Sequence, residues 1–372
     1  MRRGYRSILL VGAGPAGSSL ALRLHAAGWQ NLLVIDKSTF PREKVCGDYL
    51  NPAASGLLET LPGFSLSSIP ERVILRRLEL VSPGNRSLVG PFNVGSPGHG
   101  LKREVLDAAL VHAARQQGIT VKEGVRFVEP VIEQERLVGA RLEEGGHATE
   151  HACDLIVGAD GLHSNVASGI EVRPKPPGRV ALVARLTVER AGADAFMFLG
   201  PEADLGICPV GPHTINAGFL ISPERLKIMT GTQAERFRSL WHLMPAATGR
   251  FGGCGEVIEV RGAGPFGFRK RPHDVAGMAL IGDALGFRDP ISGNGVERAL
   301  LASSLLAEKL NQGAAFGPRT LGTELDREFG WRRIPDRLLL LPYRGPLLDL
   351  GFGLFSRFPQ FTSRLVQHAQ GT

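Results

Sequence analysis

Aromatic residues are scarce, 6% of 372, so the chain lacks the stacking platforms that single-stranded nucleic acid needs. The formal net charge is +7, but no long run of Lys or Arg concentrates it, and no nucleic-acid partner is expected. A dispersed basic surface attracts anionic cofactors or anionic lipid instead. Cysteines number four, Cys46, Cys153, Cys208 and Cys254. They lie far apart with no CxxC pair, which argues against a disulfide framework and against zinc or iron–sulfur sites; no metal is expected. A reducing cytoplasm fits this usage, and the start of the chain shows no signal-peptide cleavage pattern. No apolar run reaches membrane-spanning length. The nearest, residues 338–355, is broken by Pro342, Arg344, Pro346 and Asp349.

Glycine, by contrast, is plentiful at 48 residues, in a chain that is 43% hydrophobic. That suits a compact α/β enzyme of one large or two smaller domains. Near the start, the apolar run Ile8-Leu9-Leu10-Val11 meets Gly12-Ala13-Gly14-Pro15-Ala16-Gly17. The run reads as a buried strand, and a small-residue helix follows. Gly12 permits a tight turn, Gly14 lets a pyrophosphate approach the backbone, and Gly17 lets the helix pack on the strand. The helix then aims free N–H groups and its positive dipole end at the phosphates. Pro15 suits the first helical turn. A second apolar strand, Leu32-Leu33-Val34-Ile35, ends in Asp36, 19 residues beyond Gly17. A carboxylate there accepts ribose hydroxyls and repels a 2′-phosphate, which favours FAD or NAD over NADP. Lys37 follows directly.

Two further strand ends repeat the theme. Leu155-Ile156-Val157-Gly158 delivers Asp160-Gly161, and Ala279-Leu280-Ile281 delivers Gly282-Asp283. After the latter, Pro290 and Gly293-Asn294-Gly295 lead into a helix running to about residue 312. A dehydrogenase using NAD needs only the first strand end. A ligand with an adenosine end, a polyol and a ring uses all three, which points to FAD. Between the motifs, the spacing predicts helices over 53–61, 102–117 and 223–243. It predicts strands over 73–75, 78–81, 119–121, 125–128, 180–188, 195–199, 205–210 and 214–221. A hairpin is expected across Glu144-Gly145-Gly146. The loop Phe40-Pro41-Arg42-Glu43-Lys44-Val45-Cys46-Gly47-Asp48 is dense in polar groups. Cys46 reads as a packed thiol, with a reactive one as the alternative. Arg103 reads equally as a phosphate or flavin contact and as a salt-bridge partner.

Together these stretches resemble the FAD-dependent monooxygenase and reductase superfamily typified by para-hydroxybenzoate hydroxylase. The 40–48 loop resembles the Pro-x-x-Lys-x-Cys-Gly loop of its geranylgeranyl reductase-like branch. The resemblance implies an α/β fold: a Rossmann-like FAD-binding domain of the para-hydroxybenzoate hydroxylase type, a second, mainly antiparallel β substrate domain, and C-terminal helices. The expected division is 1–62, 99–172 and 270–312 for the discontinuous FAD-binding domain, 63–98 and 173–269 for the substrate domain, and 313–372 for the C-terminal helices. It implies that Gly12, Gly14, Pro15, Ala16 and Gly17 line the ADP part of FAD, with Asp36 and Lys37 at the adenosine ribose. Val125 lies near adenine, Arg103 on the flavin side, Asp160 and Gly161 near the pyrophosphate, and Gly282 and Asp283 at the ribityl chain. Pro290, Gly293, Asn294 and Gly295 lie against the flavin ring, opposite Cys46 and Gly47. Of these, Cys46, Gly47 and Pro290 are the candidates nearest the chemistry.

The chain departs from the branch in two places. Leu205-Gly206-Ile207-Cys208-Pro209 stands where an aromatic is common, and Asn294 where many reductases carry an acid. The activity implied is reduction of carbon–carbon double bonds in a hydrophobic, isoprenoid-like small molecule. Hydroxylation of an aromatic or polyketide substrate is the alternative, and a non-catalytic flavin electron carrier a third. No second dinucleotide unit is evident, which leaves the reductant open among NADPH, NADH, ferredoxin and a quinol pool, with NAD(P)H the expected one. The apolar C-terminal residues Leu338–Leu341, Leu347, Leu348, Phe352, Leu354 and Phe355 either roof a substrate cavity or pack a terminal helix. Their mixture with Arg337, Arg344 and Arg357 leaves a peripheral membrane contact open.

Overall fold

The computed structural model describes residues 5–168, 178–266, 276–287, 289–330 and 346–371. The chain opens with β1 (Ile8–Val11), α1 (Pro15–Ala26) and β2 (Leu32–Asp36). Next come β3 (Tyr49–Leu50), α2 (Pro52–Glu59), β4 (Val73–Leu75), β5 (Arg77–Val81), β6 (Ser87–Pro91) and β7 (Gly98–Gly100). Then follow α3 (Arg103–Gln116), β8 (Thr120–Glu123), β9 (Val125–Glu133), β10 (Arg136–Glu144), β11 (His147–Ala152) and β12 (Leu155–Gly158). The middle of the chain forms β13 (Val180–Thr187), β14 (Asp194–Phe198), β15 (Ala203–Gly211), β16 (Thr214–Ile221), α4 (Pro223–Ile228), α5 (Gln233–His242), α6 (Pro245–Phe251) and β17 (Glu256–Ala263). Last are β18 (Met278–Leu280), α7 (Gly295–Gln312), α8 (Pro318–Phe329), α9 (Pro346–Phe355) and α10 (Pro359–Ala369).

Five strands form a parallel sheet in the order β18-β12-β1-β2-β8. Every residue of β1, β2 and β12 is buried, which is why these strands are apolar runs without alternation. Each such side chain contributes roughly 1.5–3 kcal/mol on leaving water. Helix α1 covers the sheet with Leu20 and Leu24, and α7 packs on it where Ser19 and Ser303 hydroxyls meet at 2.6 Å. The chain leaves β1 toward β2 on one side and later returns to β12 on the other. The crevice at the carboxyl ends lies at this reversal, where open α/β sheets bind ligands.

A seven-stranded sheet, β17-β13-β16-β15-β14-β5-β6, forms the second layer. All its pairs are antiparallel except β14 with β5. Strand alternation divides its faces. Leu182, Ala184, Leu186 and Phe219 pack with Phe237, Leu240 and Trp241 of α5. Ala181 and Leu220 turn the other way, into an apolar cluster with Leu88, Leu199, Phe266, Ile291 and Phe352.

The expected helix over 223–243 is two helices. Helix α4 stops at Ile228, and Gly231 takes φ +86°. Thr232 then opens α5 with a capping box: its Oγ1 accepts from Glu235 N at 3.3 Å, and Glu235 Oε2 accepts from Thr232 N at 2.7 Å. The expected hairpin forms as β10–β11, with Gly145 and Gly146 both at positive φ in a two-residue turn. Leu338–Leu341, Arg337 and Arg344 lie outside the described residues. Of the other apolar C-terminal residues, Phe352 is buried and Leu348 packs beside it, while Leu347, Leu354 and Phe355 are exposed.

Candidate functional site: a crevice at the carboxyl ends of the parallel sheet

Three glycines follow β1 under different constraints. Gly12 takes φ +105°, and a Cβ on it would fall 2.4 Å from Ala159 O. A Cβ on Gly17 would fall 1.9 Å from Gly12 O. Packing therefore fixes both. Gly14 has an ordinary φ of −76°, and the nearest atoms to its missing Cβ are side-chain ends, Arg42 Nη2 at 3.2 Å and Arg103 Nη2 at 3.9 Å. The result is a backbone-floored cradle walled by two guanidinium groups. Pro15 and Ala16 begin α1, whose N-cap makes no side-chain bond, so first-turn N–H groups are free for an anion. Gly282 comes so close that a Cβ on it would lie 3.0 Å from Ala16 Cβ.

Asp36 ends β2, buried, with Oδ2 accepting from Ala13 N and Oδ1 from Ser38 N, both at 2.9 Å. Each oxygen keeps a lone pair for a ligand hydroxyl. Lys37 beside it is exposed. Val125 is buried at the start of β9, one residue beyond Gly124, whose N–H donates to Ser38 O at 3.4 Å.

Asp160 is turned to its own loop. Its oxygens accept from Ser164 Oγ at 2.6 Å and from Asn165 N at 2.7 Å. Burial raises its pKa, and those bonds oppose the rise. Gly161 follows at φ +83°. Lys44 Nζ lies 3.7 Å from where its Cβ would be and pairs with Asp283 Oδ2 at 3.3 Å.

Arg103 opens α3 but folds back on Asp107, with two bonds of 3.0 Å. Burial alone would lower its pKa; Asp107, aided by Cys46, outweighs this and holds it above the ordinary value. Arg42 Nη2 approaches Asp107 at 3.3 Å and its Nε approaches Asp36 at 3.7 Å. That Nε is buried without a hydrogen-bond partner. Cys46 is half-buried, and desolvation raises its thiol pKa more than Arg103 lowers it. Gly47 is exposed, with open space where a Cβ would go.

The loop carrying Cys46 is held through Asp48, and the start of α2 is tied to α7 through Asn51. Asp48, buried, accepts from Arg103 N at 3.0 Å and from Asn216 Nδ2 at 2.5 Å. Burial raises its carboxyl to about 6 against the lowering effect of Asn216 and the arginines. Asn51 caps α2 and donates to Asn294 Oδ1 at 2.9 Å and Glu297 Oε2 at 2.6 Å. With its amide so engaged, Asn294 does not cap α7 by its side chain, which leaves the N–H groups of Gly295 and Val296 at the helix start for a ligand. Gly293, at φ +68°, admits the Tyr49 ring: a Cβ would sit 2.7 Å from Tyr49 Cδ1. Pro290 follows Asp289, which pairs with Arg179.

Residues 5–315 match the FAD binding domain family. The chain belongs to that family. An FAD-dependent oxidoreductase is the enzyme class this membership carries. Relatives include the digeranylgeranylglycerophospholipid reductase of Methanosarcina mazei, 29% identical over 83% of this chain and 76% of that protein. Digeranylgeranylglycerophospholipid reductase 2 of Methanococcoides burtonii is 26% identical over 89% and 80%. Among solved structures, a flavoprotein/dehydrogenase from Cytophaga hutchinsonii superposes with a TM-score of 0.82 at 20% identity, covering 97% of this chain and 93% of that one. The flavin-dependent brominase Bmp2 does so with 0.81 at 20%, covering 98% and 93%. These structural likenesses establish the fold, and the reductase relatives bear out the resemblance read in the 40–48 loop.

The residues present fit FAD. Gly14 leaves a cradle that any Cβ would enter, and Arg42 Nε is a buried donor that approaches Asp36 without a hydrogen bond. The sequence singles out Gly14 and, in the 40–48 loop motif, Lys44, but gives no site role to Arg42, Asp48, Asp107, Asn51, Asn216 or Glu297. For Arg42 and Asp48 a signal existed, the polar density of the loop. For Asn216, at the middle of an apolar strand, none did.

Proposed function

We propose that the chain reduces carbon–carbon double bonds in a hydrophobic, isoprenoid-like substrate, with NAD(P)H as electron donor. Bound FAD, once reduced by hydride from NAD(P)H, would supply hydride to one carbon of the double bond, the other carbon taking a proton from solvent, and flavin and donor would both end oxidised. In this reading Gly12, Gly14, Gly17 and Arg42 hold the pyrophosphate, Asp36 the adenosine ribose, and Asp283 with Lys44 the ribityl chain. The N–H groups opening α7 face the ring edge where negative charge collects on reduction.

The observation carrying the reading is the likeness over most of the chain to proteins named digeranylgeranylglycerophospholipid reductase, and the Pro290–Gly293 turn sits in apolar surroundings. Ile291 of that turn packs with Ala181, Leu199, Leu220, Phe266 and Phe352. These side chains are buried against one another as apolar core beside that turn. The relatives named for a lipid reductase support the same substrate class. The test is a product screen by mass spectrometry, with reduced enzyme, lipid and quinone extract, and isotopically heavy oxygen. A product heavier by two hydrogens, formed without oxygen, is expected. A product carrying one heavy oxygen atom would instead make the chain a monooxygenase.

A further inference from the structure

We infer that α9 and α10 form a docking surface for an anionic lipid bilayer. Six large apolar side chains are exposed there: Leu347 (70%), Leu350 (70%), Leu354 (54%), Phe355 (37%), Phe358 (58%) and Phe361 (58%). Leu347, Leu350 and Leu354 follow helical spacing and share one face of α9. Phe355 and Phe361 stack with ring centroids 6.1 Å apart, which joins that face to the start of α10. A contiguous apolar patch of this kind marks an interaction surface.

Charge selects the partner. From Leu350 to the last residue the sequence contains no Asp or Glu, and it places Arg357 and Arg364 there, both exposed. Arg86, from the β5–β6 turn, lies against α9 beside Gly353. The nearest acid on these helices, Asp349, is bound to Ser82 and to Gly84 N at 2.7 Å. An apolar face rimmed by cations is the pattern of a helix lying in the headgroup region of an anionic membrane.

The pair is braced for this. Ser363 Oγ donates to Val89 O at 3.2 Å and Gln367 Nε2 to Pro91 O at 2.8 Å, so α10 lies along the edge strand β6. The inner side of α9, Leu348 and Phe352, packs into the cluster that contains Ile291. One helix thus separates the exposed patch from the apolar core beside the Pro290–Gly293 turn. This use of the surface rests on the lipid reading above; bilayer binding itself does not.

The test is flotation of the FAD-loaded protein with vesicles of phosphatidylcholine alone, and of phosphatidylcholine with phosphatidylglycerol. The native chain should float with the mixed vesicles. Leu350→Glu with Phe361→Glu should lower that partitioning about tenfold or more, with bound FAD unchanged. Arg357→Gln with Arg364→Gln should remove the preference for phosphatidylglycerol. Absence of flotation, or equal flotation by the glutamate variant, would overturn the inference. So would a dimer in size-exclusion chromatography that the glutamate variant abolishes, because the patch would then join two copies. Flotation without any reduced product would defeat the proposed reaction and leave the docking surface standing.

Discussion

Asp48 Oδ2 and Asn216 Nδ2 lie 2.5 Å apart, across the boundary between the loop that precedes β3 and strand β16 of the seven-stranded sheet. The same amide donates to Cys46 O at 2.9 Å, so one side chain fixes both ends of the Cys46–Asp48 turn. Asp48 is buried and its φ is +53°, a backbone region few non-glycine residues occupy. The turn keeps its shape through these bonds.

The pH dependence of stability follows from Asp48. Its carboxyl has a pKa of about 6 in the folded chain, against an ordinary 3.8, because burial outweighs the bonds from Asn216 and Arg103. Between those values the folded state holds a proton that the unfolded state has lost. Stability from this group therefore falls as pH rises from about 4 to about 6, by at most about 3 kcal/mol. Urea unfolding of FAD-free protein across this range should show a shallower decline for Asp48→Asn than for the native chain. Parallel curves would mean that Asp48 titrates as an exposed carboxylate does.

Gly14 and Gly17 should separate binding from folding. Gly17→Ala puts a methyl 1.9 Å from Gly12 O, a backbone clash that α1 cannot absorb, and soluble yield should collapse. Gly14→Ala meets only the movable end of Arg42 at 3.2 Å, so thermal unfolding of the FAD-free protein should shift little. The added methyl fills the pyrophosphate cradle, and FAD affinity should drop by about tenfold or more. Equal FAD affinity in Gly14→Ala and the native chain would move the pyrophosphate elsewhere.

Much of the fold was open to local reading. Strand, glycine turn and helix follow one another directly from Ile8 to Pro15, and with a longer connection from Met278 to Gly295, so periodicity and turn chemistry suffice there. The break at Thr232 was also local: Thr232-Gln233-Ala234-Glu235 is a capping-box pattern inside what otherwise reads as one helix. The site's polar bracing is different. Asp48 meets Asn216 across 168 positions, and Asn51 meets Glu297 across 246. Neither an asparagine in an apolar strand nor a glutamate one turn into a helix announces a distant partner. Asp160 shows the converse. The motif located it at a strand end, but its carboxylate is engaged by Ser164 and Asn165, a local turn bond that motif spacing does not encode.

Asp283 faces Lys44 with both side chains partly exposed, 21% and 33%, so loss of the pair should cost under about 1 kcal/mol of stability. A carboxylate bonding ribityl hydroxyls is worth more, by roughly 1.5–3 kcal/mol. Asp283→Ala should therefore lose FAD about tenfold more readily in gel filtration and dialysis, with little change in unfolding. Asp326, paired with Arg298 at 3.9 Å on α8, supplies the control, and Asp326→Ala should retain FAD. If the two variants kept FAD equally, Asp283 would have no place at the cofactor.

Cys46 carries the last prediction, because the loop that suggests a reactive thiol also disarms it. Arg103, beside the sulfur, would favour a thiolate if water reached it. Desolvation is the larger influence and raises the pKa, with Arg103 opposing it and Asp48 adding to it. The sulfur instead accepts a long bond from Asp48 N at 3.4 Å. A protonated thiol is a poor nucleophile. Iodoacetamide at neutral pH should then alkylate Cys46 at roughly a tenth or less of the rate of the unfolded chain, as read by peptide mass spectrometry. Cys46→Ala should still bind FAD, since the turn is fixed by backbone and by Asp48. Rapid alkylation of the folded protein would mean that Arg103, not burial, sets the state of the sulfur, and Cys46 would return as a candidate for the chemistry itself.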